Sequence, residues 1–321
     1  MLGRWPLCLL GLLAPLLPCP LALRLLPESE EEASRAQWAV DVATHAALPP
    51  VARNATPRAA LLELGRRGHP HRRGRGSQPR HFWLFGAHHK TGTVLMDRLA
   101  LLLGRQLEQP TCSISGLRGP CGGFGANCWE APEVRIWFDC HLSAASLERV
   151  RAHAGGALRA MHIIRDPVAL VVSGYVYHLR SNDGPQGTVL RRVGLAEGLA
   201  LEAQAALEGP LKEMLAAYRE GAKGGDVLVL HLEDFMDSSV SFDAAAQRLF
   251  RYAVGDLVEK RTLEALVRAS AAEDLRRHNT SGHSTSLTDP ELKRRAALAF
   301  EGLPRELREQ LFEYRSALGY A

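Results

Sequence analysis

Four short runs of this chain are apolar almost without interruption, and each is followed by a signal that starts a helix. They are His81 to Ala87 (HFWLFGA), Val134 to Cys140 (VRIWFDC), Leu158 to Arg165 (LRAMHIIR) and Asp226 to Leu232 (DVLVLHL). A strand with one wet face alternates polar and apolar residues, whereas a run apolar on both faces needs cover on both sides, which is the pattern of a parallel sheet. The helix signals lie where crossovers require them. Apolar residues recur at helical spacing from Thr93 to Leu107, Ser143 or Ser146 offers a cap, Asp166-Pro167 opens a helix, and Asp234 or Asp237 precedes an amphipathic run from Phe242 to Ala253. The expected fold is therefore α/β, a central parallel sheet flanked by helices, and such sheets place ligands at the carboxyl ends of their strands.

The remaining sequence reads as an appendage to that body. At 321 residues the chain has room for two domains or one larger α/β domain with additions. With 46% hydrophobic and 23% charged residues the composition is globular, and 39 Lys and Arg against 35 Asp and Glu leave only +4, which gives no reason to expect a nucleic-acid partner for the whole molecule. The 29 Gly and 18 Pro follow no triplet period, which excludes a collagen-like chain. From Trp5 to Leu23 no residue is charged, with Arg4 before the run and Arg24 after it. A run near the length that spans a bilayer is a signal peptide or a single-pass signal anchor, and the anchor with its N-terminus inside is the favoured expectation. Residues 1–27 are assigned to this segment and 28–80 to a flexible basic stem, in which Arg66, Arg67, Arg72, Arg73, Arg75 and Arg80 alternate with Gly, Pro and His. The stem reads as a tether, with attraction of an acidic glycan as the second reading. Residues 81–321 form the body.

Entry into the secretory route would make disulfides the expectation for Cys112, Cys121, Cys128 and Cys140, with three connectivities open. Zinc is disfavoured because no C-x-x-C pair occurs. The sequons at Asn54 and Asn279 become glycan acceptors on the same condition.

Two elements carry chemistry. After the first strand, Gly86-Ala-His88-His89-Lys90-Thr91-Gly92-Thr93 runs straight into a helix. Backbone N–H groups at a helix N-terminus, its dipole and the Lys90 charge together form an anion cradle. The order differs from a Walker A loop, in which Lys follows the second Gly. The second element, Arg165-Asp166-Pro167 with Ser173 two turns along the following helix, offers a guanidinium at a strand end and a hydroxyl on a helix face.

Strand-HHKTGTVL and, about seventy residues on, strand-RDPVALVVSGYVYH resemble the 5′-phosphosulfate loop and the 3′-phosphate motif of sulfotransferases that use 3′-phosphoadenosine 5′-phosphosulfate (PAPS). Leu228 to Phe235, LVLHLEDF, resembles their later strand and turn. The resemblance covers roughly Phe82 to Tyr320 and implies a P-loop-like three-layer fold, PAPS as donor and sulfuryl transfer without a metal. It implies that Lys90 contacts the 5′-phosphate and bridging oxygen, that Thr91, Gly92 and Thr93 hold the phosphosulfate through backbone and hydroxyl groups, and that Arg165 and Ser173 hold the 3′-phosphate. Arg276, Arg277 and Gly282, in RRHNTSGHSTSLTDPE, loosely match the family's basic closing loop but lack its Arg-Lys-Gly order and its Trp. The family's adenine-stacking aromatics are replaced as well, leaving Trp83 and Phe235 as substitutes.

Sulfuryl transfer also needs a base near the acceptor. His141, in WFDCHLS, resembles the family's catalytic His and is expected as a neutral imidazole, with Asp139 and Glu130 as alternatives. His88 and His89 read as loop residues, and Asp183 to Gly187 as a mobile connection or ordinary turn framing the acceptor pocket. The functional expectation is a lumenal, Golgi-anchored type II membrane sulfotransferase, or a secreted one. Its acceptor is expected to be a glycan, with protein tyrosine and small alcohol also open. A P-loop nucleotide kinase and a noncatalytic secreted nucleotide- or glycan-binding protein are the alternative readings.

Overall fold

The structure is a computed structural model that describes residues 81–114, 128–129, 134–180, 184–278 and 289–320. The hydrophobic segment and stem, both sequons, Cys121, Glu130 and Gly282 lie outside the described residues.

Five parallel strands form one sheet: β1 (Phe82–Gly86), β2 (Thr111–Ser113), β3 (Ile136–Asp139), β4 (Leu158–Ile164) and β5 (Val227–His231), in the order β2-β3-β1-β4-β5. Every residue of β1 and β3 is buried, as their unbroken apolar character requires. The alternate residues of each strand face opposite layers. Trp83, Phe85, Ile136, Phe138, Met161 and Ile163 pack on one side against α1 (Thr93–Leu107), α8 (Ser239–Val254) and α9 (Lys260–Ser270). Phe82, Leu84, Trp137, Leu158 and Ala160 pack on the other side against α2 (Ala144–Ala154) and α6 (Pro210–Gly224). The three layers meet the sequence expectation.

A third apolar cluster lies at the carboxyl end of β4, where Ile164 joins a group of helices: α3 (Pro167–Arg180), α4 (Gly184–Leu190), α5 (Leu195–Glu208), α10 (Pro290–Ala299) and α11 (Arg305–Ala317). These helices wall the end of the sheet where the loops after β1 and β4 emerge. The short α7 (Leu232–Met236) follows β5 directly.

The structure adds to and corrects the sequence reading. β2 is a fifth strand of three residues, too short for a periodicity signal. The segment Asp183 to Gly187, expected as a connection, instead begins α4 at Gly184, since Pro in a first turn starts a helix as readily as it ends one. Ser143 and Ser146 are not alternatives but two halves of one capping box on α2, and Ser238 rather than Asp234 or Asp237 caps α8. Among the four body cysteines, Cys112 and Cys128 are bridged, with Cα atoms 5.2 Å apart, while Cys140 stands outside that bridge at the end of β3. The bridge ties edge strand β2 to the segment preceding β3. No helix among the described residues is long and apolar enough to cross a membrane.

Trp137 anchors the second layer. It is fully buried, its indole N–H donates to Val134 O at 2.8 Å, and it stacks on His153 with ring centroids 5.0 Å apart. Trp137→Ala is expected to cost about 3–5 kcal/mol, the range for emptying a packed aromatic site. Denaturant unfolding measures it, and a loss below about 1 kcal/mol is incompatible with this packing.

Candidate active site

The chain leaves β1 toward β2 and β3 on one side and then crosses to β4 and β5 on the other, so the connections diverge around β1 and open a crevice at its carboxyl end. The loop carrying Lys90 and the end of β4 carrying Arg165 both emerge there.

The loop is held by its own hydroxyls. Thr91 Oγ1 accepts from the His88 N–H at 2.8 Å and donates to His88 O at 3.0 Å, and Thr93 Oγ1 donates to the same carbonyl at 2.8 Å. Both hydroxyl protons are thus turned into the loop, and what the loop offers an anion is backbone N–H and the Lys90 charge rather than the threonine hydroxyls. Gly92 is the N-cap of α1 with φ 96°, and no side chain caps the helix. A Cβ there would stand 2.9 Å from Leu232 Cδ1, so both the positive φ and the close approach require glycine. Lys90 itself takes φ 62°, left-handed backbone that a side chain tolerates only where the surroundings enforce it.

Lys90 Nζ sits 3.9 Å over the Tyr177 ring of α3. Burial, and then the neighbouring Arg165 guanidinium, bring its ammonium down to about 7, with the Glu202 carboxylate acting the other way. Arg165 is 5% exposed, its Nη1 donates to Lys90 O at 2.8 Å, and its buried Nε has no hydrogen-bond partner among the described residues. Burial lowers its affinity for the proton, against the pull of Glu233, Tyr320 and Asp166. Lys293 of α10 is likewise lowered, by burial and by Arg165. Lys90 and Arg165 are thus held together out of water, with the half-buried Lys293 near Arg165. The nearby carboxylates serve other donors: Asp166 takes Arg315 Nε at 2.7 Å and the first N–H groups of α3, and Glu233 takes the Asp166 N–H at 3.1 Å and the Tyr320 hydroxyl at 3.0 Å. Positive charge collected in a desolvated crevice, with a guanidinium N–H unsatisfied, suits an anionic ligand. Ser173, 2% exposed, lies on α3 two turns beyond Arg165.

At the end of β3 the His141 N–H donates to Asp139 Oδ1 at 3.0 Å. Burial alone would lower the His141 ring, but a hydrogen bond with the Cys140 side chain and the charges of Cys140, Asp139 and Glu213 outweigh it and lift the ring to about 9. Burial, then Cys140, raise Asp139 to about 6, while hydrogen bonds from His141 and Ser146 oppose this. The direction, set first by Cys140, runs against the neutral imidazole expected at His141.

The two loop histidines have structural roles that sequence reasoning missed. His88 is fully buried, its Nε2 2.9 Å from His162 Nε2. His89 stacks on His178 of α3, centroids 5.0 Å apart and planes 9° off parallel, with Nε2 to Nε2 at 3.1 Å. His178 Nδ1 lies 2.9 Å from Glu202 Oε2 of α5, and Gln186 Nε2 donates to the same oxygen at 2.9 Å. A signal for Glu202 was present: it stands between Leu199 and Ala206 on the buried stripe of an apolar helix, where a carboxylate needs a partner. Lys293 carried no comparable mark in a run of exposed charges.

Other candidates are placed elsewhere. Arg277 is committed to Asp243, at 2.7 and 2.8 Å, and to Ser239 O, so gripping a phosphate would require releasing α8. Arg276 is exposed, and its N–H closes a turn on Asp274. Trp83 donates to Ala253 O and is 7% exposed, and Phe235 is 3% exposed and packs edge-on against Phe242, so neither offers a face to adenine. Among the described residues no group of three or more His, Cys, Asp or Glu is placed to hold a metal.

No family model and no curated protein matches the chain. Among solved structures the chain is similar to the crystal structure of mouse sulfotransferase SULT7A1 complexed with PAP, with 14% sequence identity, a TM-score of 0.44, and coverage of 73% of this chain and 83% of that one.

Proposed function

We propose that this chain transfers the sulfuryl group of PAPS to a hydroxyl or amine acceptor. The observation that carries the reading is the bond from the buried Arg165 guanidinium to the Lys90 carbonyl, which fastens a strand-end arginine to the lysine of a helix-capping loop. Two anion-seeking groups are thereby held in one crevice, as a donor with a phosphate at each end of its ribose demands. The order and spacing of the two motifs in the sequence support the same donor.

In the proposed step the acceptor oxygen or nitrogen bonds to sulfur as the bond from sulfur to the bridging oxygen breaks. The electron pair leaves with 3′-phosphoadenosine 5′-phosphate (PAP), where the Lys90 ammonium stands against the growing charge. The N–H groups of Gly92 and Thr93 hold the 5′ end, the Thr91 N–H being donated to His88 O at 3.1 Å, and Arg165, with Ser173 beyond it, holds the 3′-phosphate. The proposal extends to a type II Golgi protein with this body in the lumen, or a secreted form, and to a glycan acceptor, the last resting on the basic stem alone.

Calorimetric titration with PAP, ADP, ATP and adenosine 5′-phosphosulfate tests the donor. Tight binding that depends on the 3′-phosphate is the expected result. Preference for ATP would replace the reading with phosphoryl transfer, and binding of none would leave a protein without a nucleotide donor. A second expectation concerns protons. With the Lys90 ammonium at about 7 before binding, and an anion restoring its charge, PAP binding at pH 8 should take up close to one proton, and at pH 6 almost none. Binding heats in buffers of different ionisation enthalpy report that number, and equal uptake at the two pH values would separate Lys90 from the ligand.

A further inference from the structure

The turn that closes α11 brings two donors to two acids. It is a Schellman motif: the Tyr320 N–H bonds to Arg315 O at 3.0 Å and the Gly319 N–H to Ser316 O at 3.1 Å, with Gly319 at φ 84°. The glycine turns the chain back, and the fully buried Leu318 fixes the turn in the apolar cluster around α3. Arg315 and Tyr320 therefore reach the same end of the sheet. Arg315 Nε donates to Asp166 Oδ2 at 2.7 Å, and the Tyr320 hydroxyl donates to Glu233 Oε2 at 3.0 Å. The Tyr320 ring leans edge-on against His231 at the end of β5, centroids 4.6 Å apart. The other oxygen of each carboxylate is engaged as well. Asp166 Oδ1 accepts from the Val168 and Ala169 N–H groups at 2.8 and 3.1 Å, and Glu233 Oε1 accepts from the Asp166 N–H at 3.1 Å.

Glu233 and Asp166 are the carboxylates whose charge acts on Arg165, yet neither is paired with it. Among the described residues its guanidinium donates to the Lys90 carbonyl and leaves the buried Nε without a partner. A buried guanidinium beside a carboxylate with a vacant oxygen would close on it, since both groups have lost their water. Here every oxygen of the two acids already has a donor. We propose that Arg315 and Tyr320 are positioning residues of the donor site, which occupy Asp166 and Glu233 and so keep the Arg165 guanidinium open for the 3′-phosphate. The inference rests on the sulfuryl-transfer reading for the identity of that ligand. Without the Tyr320 hydroxyl, Glu233 Oε2 has no donor and turns to Arg165, and the phosphate must displace it before binding. Arg315 serves Asp166 in the same way, with a smaller effect because two helix N–H groups still hold the other oxygen.

Calorimetric titration of the full chain with PAP and ADP separates this role from a merely structural one. Tyr320→Phe keeps the ring beside His231 and removes the hydroxyl alone. PAP affinity should fall about 10-fold, the low end for a charge-assisted bond that the phosphate must displace, while ADP affinity stays within about twofold. Arg315→Met should cost PAP about threefold and ADP nothing measurable. Neutralising the freed acid should rescue the loss: with Glu233→Gln added to Tyr320→Phe, PAP affinity should return to within about twofold of Glu233→Gln alone, because a neutral amide competes far less for a guanidinium. A turn that only braced α11 would weaken PAP and ADP together, and the amide would not rescue it. Either result overturns the proposal, as does unchanged PAP affinity in Tyr320→Phe. The free protein gives a readout that needs no ligand. In proton–nitrogen spectra of the full chain labelled with nitrogen-15 arginine and assigned with Arg165→Met, the Arg165 Nε–H resonance should move in Tyr320→Phe and return in the double variant. A resonance that stays in place overturns the proposal. A wild-type chain that binds no PAP removes the sulfuryl-transfer reading instead, and the resonance still judges the pairing.

Discussion

Lys90→Met is expected to lower turnover with PAPS by about 10²–10³-fold, the loss typical of removing one preorganised group that meets charge as it develops. PAP affinity should fall much less. The ammonium does most where charge grows on the bridging oxygen, and less toward a phosphate already gripped by N–H groups and Arg165. Stability should move the other way. In the folded chain the ammonium is lowered to about 7 from an ordinary value of 10.5, so between those values the unfolded chain binds more protons and stability rises with pH. Below pH 7 the folded protein carries the full cost of a desolvated cation beside Arg165. Met abolishes that cost and keeps the strained φ of 62° no worse than before. The variant should therefore melt at the same or a higher temperature at pH 6, and the gap should close toward pH 10. Lys90→Arg is not expected to restore turnover, because a second guanidinium would stand against Arg165 where a compact ammonium now lies over Tyr177. Activity retained by Lys90→Met would move the chemistry away from this loop.

What the sequence made legible follows from which forces act locally. Residues buried on both faces of a parallel sheet must be apolar throughout, so β1, β3, β4 and β5 are visible as runs. The α1 boundaries at Thr93 and Leu107 coincide with the expected helix because Gly92 and the periodic leucines mark them in the chain itself. Lys90 and Arg165 were legible because strand ends and helix starts are where an anion site must lie. The bond between them was not, because it joins residues 75 apart and depends on Lys90 turning its carbonyl inward. The same limit hid the contacts of His178 with His89 and Glu202. His89, His178 and Glu202 lie in a loop and two helices, and only tertiary packing at Gly174 brings them into line. The raised His141 ring could not be read either: its neighbours Cys140 and Asp139 set most of the rise, but whether their side chains face the ring is decided by the fold, and Glu213 of α6 adds the least. The aromatic substitutes for adenine failed for a related reason: Trp83 and Phe235 are the apolar residues the sheet and α8 need for their own cover.

Arg165→Met should erase the preference for a 3′-phosphate. A charge-assisted hydrogen bond contributes about 1.5–3 kcal/mol, so PAP affinity is expected to fall by roughly 10–150-fold. ADP, which lacks the 3′-phosphate, should change by no more than a few-fold. The comparison matters because Arg165 has two tasks: its Nη1 supports the Lys90 carbonyl, and its Nε is a buried donor without a partner among the described residues. Loss of the first alone would loosen the loop that grips the 5′ end and weaken PAP and ADP alike. Loss of the second weakens only PAP. Ser173→Ala, removing a neutral hydroxyl from the same pocket, should cost PAP about 2–10-fold on the scale of an uncharged hydrogen bond and leave ADP unchanged. Because Met removes the buried cation along with its hydrogen bond, no uncompensated charge is left in the interior, and the variant should fold well enough to be titrated. Equal losses for PAP and ADP would show that Arg165 serves the loop only, and the second phosphate would then have to be sought beside another cation near it, such as Lys293, whose ammonium Arg165 and burial lower.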